Sequence, residues 1–184
     1  MSQNFYISDL HFEHFNVIRY DNRPFSTVEE MNSTLITNWN KVVSDDDAVY
    51  ILGDVSWSSD PYTNKKFLNA LKGNKILIKG NHDKPMYAIS DCFKKITDYL
   101  EIKDNGRQVI LSHYFMPCWN GQFRDSIHLY GHVHNSHQWN MIRSWLKEAR
   151  QLQDIPMRAY NVGCMMTYMN YTPRTLDEIL LKGE

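Results

Sequence analysis

Cysteine is scarce in this sequence. The 184 residues include three, Cys92, Cys118 and Cys164. An odd number at wide spacing argues against a disulfide framework and fits a reducing compartment. Long apolar runs are missing as well. No stretch approaches the roughly 18 residues needed to span a bilayer. The opening residues Met-Ser-Gln-Asn-Phe-Tyr-Ile carry neither the basic nor the apolar region of a secretory signal. A cytoplasmic protein without membrane association is expected. Neither sign of charge is in excess: 20 Lys and Arg against 21 Asp and Glu leave a formal net charge of -1. The bulk basicity of a general nucleic-acid binder is absent, so long nucleic acid is not an expected partner. Low-complexity stretches, internal repeats and linkers are absent too.

Apolar side chains are plentiful, at 42% hydrophobic and 13% aromatic. That supports a real core, and the length fits a single domain over residues 1–184. The chain is organised around Lys75-Ile-Leu-Ile-Lys79, a short apolar run that reads as a buried strand. It breaks at Gly80, and Asn81, His82 and Asp83 follow directly. Alone, Gly80-Asn81 would be an ordinary turn. The arrangement recurs four times, however. Phe5–Ser8 runs into Asp9-Leu-His11, and Ala48–Leu52 into Gly53-Asp54. Arg107–Leu111 runs into Ser112-His113, and Ile127–Tyr130 into Gly131-His132-Val-His134.

Between these strands lie helical patterns. Ser26 and Thr27, with Glu29 and Glu30 three residues on, open a helix over 27–43 with Val28, Met31, Leu35, Trp39 and Val42 at helical spacing. A second helix spans Tyr62 to Lys72. The β–α–β–α–β alternation predicts parallel strands with right-handed crossovers. Ligands bind beyond the carboxyl ends of such strands. Asp45-Asp46-Asp47 follows no apolar strand and reads as a solvated turn. Farther on, Thr97 to Ile102 and Arg107 to Leu111 bracket Lys103-Asp-Asn-Gly106 as a hairpin. A helix over 138–152, a core strand over 158–162, and a helix opened by the capping box Thr175-Leu-Asp-Glu178 complete the chain.

The strand-end residues Asp9, His11, Asp54, Asn81, His113, His132 and His134 supply carboxylate, amide and imidazole donors of the kind that hold borderline divalent metals. Their ordered set, with Gly80-Asn81-His82-Asp83 and Gly131-His132-Val-His134 the most specific parts, resembles the calcineurin-like metallophosphoesterase superfamily. Asn22-Arg-Pro-Phe25 and Tyr171–Glu178 are similar to small stand-alone prokaryotic and phage members. The resemblance implies an α/β fold: a two-sheet β-sandwich flanked by helices in four αββα layers. It implies that Asp9, His11 and His134 hold one metal, that Asn81, His113 and His132 hold a second, and that Asp54 bridges them. The cofactors would be two divalent ions, manganese foremost, with iron, zinc or nickel also suited. Such a pair lowers the pKa of a bridging water and supplies hydroxide for in-line attack on phosphorus. His82 would protonate the leaving oxygen, with Asp83 orienting it.

The implied function is metal-dependent hydrolysis of a phosphomonoester or phosphodiester, on a small phosphorylated substrate or a nucleotide. A nuclease using the same centre, or a non-catalytic metal-binding scaffold on the same fold, are the alternatives. His14, Arg23 and Asn135 are candidate substrate contacts. Trp119 and Asn120 are read as simple packing or a pocket wall, and Met165, Met166 and Met169 as core filling or a soft binding surface. The apolar stripe Trp139, Ile142, Trp145 and Leu146 is read as packing on the sheet, or as the face of a homodimer.

Overall fold

The computed structural model describes residues 2–153 and 156–183. In the first half, short apolar strands alternate with capped helices. β1 (Asn4–Ile7), α1 (Phe15–Tyr20), α2 (Val28–Val42), β2 (Ala48–Ile51), α3 (Pro61–Ala70), β3 (Asn74–Ile78) and β4 (Lys95–Thr97) follow one another. The four strands pair in parallel, β1 on β2, β2 on β3 and β3 on β4. The Thr27 side chain accepts from the Glu30 N–H, and Glu30 reaches back to the Ser26 N–H at 2.7 Å. Met31, Leu35 and Trp39 then fall on one buried face of α2. Asp60 caps α3, and Pro61 occupies its first turn, where a missing N–H costs nothing.

The second half forms a second sheet. β5 (Tyr99–Asp104) and β6 (Arg107–Ser112) make the antiparallel hairpin. β7 (Ile127–Tyr130) and β8 (Ala159–Asn161) continue in parallel. The strand period of two decides which core each β6 side chain enters. Val109 and Leu111 face the core shared with the first sheet. Ile110 faces a smaller core with Trp119, Tyr130, Leu146 and Ala149. The last two belong to α4 (His137–Gln153), which covers the outer face of this sheet. A final short strand, β9 (Arg174–Thr175), adds antiparallel to the free edge of β1 and leads into α5 (Leu176–Lys182) through a complete capping box. The fold is thus two mixed sheets flanked by helices. A parallel bridge between Ser8 and Gly163 links them beyond β1 and β8. No helix among the described residues is long and apolar enough to cross a membrane.

The structure divides one expected strand. Residues 97–102 belong to two, β4 in the first sheet and β5 in the second. Asp98 lies between them and pairs with Lys79 at 2.7 Å. Neither glycine nor proline marks the switch, so alternation continues through it. The inward face of α4 contains Leu146, with Trp139 and Ile142 packed against the same core. Met165, Met166 and Met169 are buried in the main core and do not form a binding surface. Trp119 is also buried, its indole N–H donating to Ser126, so it is no pocket wall.

His128 is fully buried in β7. It accepts the Met116 N–H and faces the Ile110 carbonyl. Burial lowers its pKa from 6.5 to about 4. The unfolded chain therefore binds a proton between those values that the folded chain refuses. Stability should be fully present above pH 6.5 and fall as the pH drops toward 4, by about 3 kcal/mol from this residue. Urea unfolding at pH 7.5 and 4.5 checks this: His128→Gln should show a smaller loss across that interval than wild type. An equal loss would assign the acid sensitivity to other groups.

Candidate metal centre

The strands stop, and the chain reverses, at the residues that carry the chemistry. Asp9, His11, Asp54, His132 and His134 all have φ between 50 and 68°. L-residues rarely adopt this left-handed region, and each costs roughly 1–2 kcal/mol. The strain turns five side chains toward one point beyond the sheets. Two glycines make the approach possible. A Cβ on Gly53 would meet His113 Nδ1 at 2.3 Å, and one on Gly80 would meet Asp54 Oδ1 at 2.2 Å. The glycine in each motif is a condition for bringing the donors together.

Asp9, His11 and His134 form one group of converging donors, and Asp54, His113 and His132 a second. Within each group the donor atoms lie within 4.8 Å of one another. Asp54 joins the groups, because its Oδ2 lies 3.6 Å from both His11 Nε2 and His113 Nε2. Asn81 Oδ1 lies 3.2 Å from His113 Nε2 and completes the second group. The structure thus brings all seven expected ligands together.

Hydrogen bonds behind the rings decide which nitrogen faces inward. His113 Nδ1 is 2.7 Å from the Leu52 carbonyl, and His134 Nδ1 is 2.7 Å from Asp21 Oδ1. Both acceptors require an N–H at Nδ1, which turns Nε2 of each ring inward, where it can offer a lone pair. The His113 lone pair then faces the Asn81 oxygen and the Asp54 carboxylate, acceptor against acceptor. His134 Nε2 likewise lies 3.2 Å from His11 Nε2 and 3.6 Å from Asp9 Oδ1. A cation resolves these contacts, so the donor set fits metal at both groups. Against its burial, the Asp21 hydrogen bond and the Asp9 charge raise the pKa of His134. Burial, then His134, lowers the pKa of His11, and burial, then His113, lowers that of His132, which keeps both rings neutral. Burial also pushes the Asp54 carboxyl up, against the pull of His113. Such a site disfavours its own negative charge until positive charge arrives.

A cleft of about 410 Å³ opens over these donors. His82 lines it, belonging to neither ligand group. Its ring centroid is 5.7 Å from that of His11 and 4.7 Å from that of Trp57. His14 lines it too, stacked on Trp57 at 4.0 Å with 6° between the planes. Tyr20 flanks the same wall, and Ser136 and Gln138 add polar groups. No Lys or Arg is among the lining residues described. Tyr114 packs edge-on against His132 at 4.5 Å, half exposed beside the second group. Sequence reasoning missed Trp57, Tyr20 and Tyr114, since none belongs to a polar strand-end motif.

Three expected roles change. Asp83 does not orient His82. Its buried carboxylate accepts the backbone N–H groups of Asp54 at 2.8 Å, Val55 at 2.9 Å and Gly80 at 2.7 Å. It clamps the two ligand-bearing turns to each other. Asp83→Asn puts an amide N–H against one of these donors, and should cost about 3 kcal/mol in urea unfolding of metal-free protein. A normal unfolding midpoint with a reduced kcat would instead restore the role beside His82. Arg23 does not reach substrate. Its guanidinium is buried against Asp21 and the carbonyls of Asp9 and Leu10. Asn135 spends its amide on the Asp21 carbonyl at 2.9 Å and does not line the cleft.

Comparisons with known proteins agree with this geometry. A family model described as calcineurin-like phosphoesterase matches residues 5–163. An uncharacterized protein from Methanocaldococcus jannaschii is 36% identical over 184 residues, covering 98% of this chain and 90% of its own. The Gene 66 protein of Mycobacterium phage D29 is 29% identical, covering 83% of this chain and 86% of its own. Among solved structures, a protein of unknown function from Aquifex aeolicus has a TM-score of 0.74 and 26% identity. The match covers 98% of this chain and 99% of that one.

Proposed function

Because the chain belongs to the calcineurin-like phosphoesterase family, we propose that it hydrolyses a small phosphomonoester or phosphodiester with two divalent metal ions. One observation carries the binuclear reading: Asp54 Oδ2 stands 3.6 Å from a histidine nitrogen of each ligand group. Asp9, His11 and His134 would hold one ion, Asn81, His113 and His132 the other, and Asp54 both. Ions so held lower the pKa of bound water and offset charge growing on phosphoryl oxygens. Manganese is the first to test, and iron, zinc and nickel also suit mixed oxygen and imidazole donors.

The chain's own residues supply the rest. His82 stands over the centre, outside both ligand sets, where it can give a proton to the leaving oxygen. The stacked His14 and Trp57 rings form a wall prepared for a flat group, such as a nucleotide base. A cleft without lining Lys or Arg suits a substrate with a single phosphoryl group and does not suit a polyanion.

The test is hydrolysis of p-nitrophenyl phosphate and of bis-p-nitrophenyl phosphate, side by side, by metal-stripped and Mn2+-reconstituted protein. Turnover should require Mn2+, and the preferred ester would separate monoesterase from diesterase. Protein that takes up no Mn2+ and cleaves neither ester would overturn the proposal in favour of a scaffold.

A further inference from the structure

Behind the first ligand group lies a buried ion pair that the reaction does not use directly. Asp21 is 5% exposed and Arg23 is 4% exposed. Asp21 Oδ1 accepts from His134 Nδ1 at 2.7 Å, and its Oδ2 accepts from Arg23 Nε at 2.9 Å. Arg23 Nη2 also lies 2.9 Å from Oδ2. The same guanidinium donates from Nη2 to the Asp9 carbonyl and from Nη1 to the Leu10 carbonyl, both at 3.0 Å. One planar cation therefore holds the backbone that carries Asp9 and, through Asp21, the ring that carries His134.

The second group is held by different means. His113 is fixed by the Leu52 carbonyl, and the turns bearing Asp54 and Asn81 by the Asp83 carboxylate. No hydrogen bond from Asp21 or Arg23 among those described reaches Asn81, His113 or His132. The two ligand groups share Asp54 and touch where the Asp9 carboxylate accepts the His132 N–H at 3.1 Å, yet the groups that fix the rings of His134 and His113 are separate.

We propose that Asp21 and Arg23 are positioning residues for the first metal, setting its affinity far more than that of the second. The inference rests on the binuclear reading above. Asp21 does so by fixing the tautomer and angle of His134, and Arg23 by holding the Asp21 carboxylate in place and Asp9 at its strained turn. Partners one step behind metal ligands typically set affinity by about 10–100-fold. A buried guanidinium that answers one carboxylate and two carbonyls in a fixed fork is not replaceable by lysine.

The experiment is a Mn2+ titration of metal-free protein, followed by metal analysis and by electron paramagnetic resonance. Wild type should take up two ions and show the exchange-coupled signal of a close pair. Asp21→Asn, which preserves shape, and Arg23→Gln should each weaken one ion by about 10–100-fold and the other far less. At one equivalent they should give the six-line signal of an isolated ion. Adding Asn81→Ala to either should then remove that remaining ion. Should Arg23→Gln not fold, Asp21→Asn decides alone. Two ions bound as in wild type, or both weakened together, would overturn the assignment while leaving the phosphoesterase reading intact. Wild type that binds no Mn2+ and cleaves neither p-nitrophenyl ester would overturn both.

Discussion

Asp54→Ala is expected to remove metal-dependent hydrolysis, lowering kcat/KM by about 10³-fold or more. The reason is positional. Asp54 is the carboxylate whose oxygen stands 3.6 Å from a nitrogen of each ligand group. Each of the other six expected ligands would donate to one group only. Without Asp54 two ions held there would lose the one carboxylate within reach of both groups. The variant should therefore lose the exchange-coupled Mn2+ signal as well as turnover. It should not lose its fold. Burial already pushes the Asp54 carboxyl toward its neutral form, so the apo protein pays little for removing that charge. Urea unfolding of metal-free wild type and variant separates the two effects. Turnover above a tenth of wild type would rule out a bridging role.

His82→Ala is expected to keep both metals and lower kcat by about 10²–10⁴-fold on esters with poor leaving groups. The His82 ring is outside both groups, while its backbone N–H donates to Asp54 Oδ1 at 3.0 Å. The alanine variant keeps that backbone bond, so the loop and the Asn81 ligand should stay in place. What it loses is the ring in the cleft, against Trp57 and near His11. The deficit should shrink for p-nitrophenyl esters, whose leaving oxygen needs no proton. Comparing an alkyl with a p-nitrophenyl ester of the same class reads this directly. Equal deficits on both would point to a role in binding, and no deficit on the alkyl ester would remove His82 from the mechanism.

The two variants also mark how far the sequence could be read. His82 is legible because it is embedded in a local motif, one residue from a ligand. The role of its neighbour Asp83 is not. Adjacent in sequence, it turns away from His82 toward three backbone N–H groups, two of them some thirty positions back. Arg23 misled in the same way. Its place in a polar turn makes it a candidate substrate contact, yet the fold closes over it and directs its donors to Asp21, Asp9 and Leu10. Asp21 carries no signal at all, because its importance depends on His134, which arrives 113 positions later.

Strand residues 97–102 show the same limit at the level of the fold. Period-two alternation reveals which residues are extended and says nothing of which sheet they join. The division at Asp98 depends on what lies beside each half: β3 on one side, β6 on the other.

By itself, the sequence determined the parts of this protein that are local in origin. The capped helices, the short apolar strands and the donor type at each strand end follow from periodicity, capping and side-chain chemistry within a few residues. The tertiary structure alone decided which donors converge and which carboxylates stand behind them. It also decided which aromatic rings wall the cleft. Those depend on distances between residues far apart in the chain, and such distances arise only when two sheets pack and their strand ends meet.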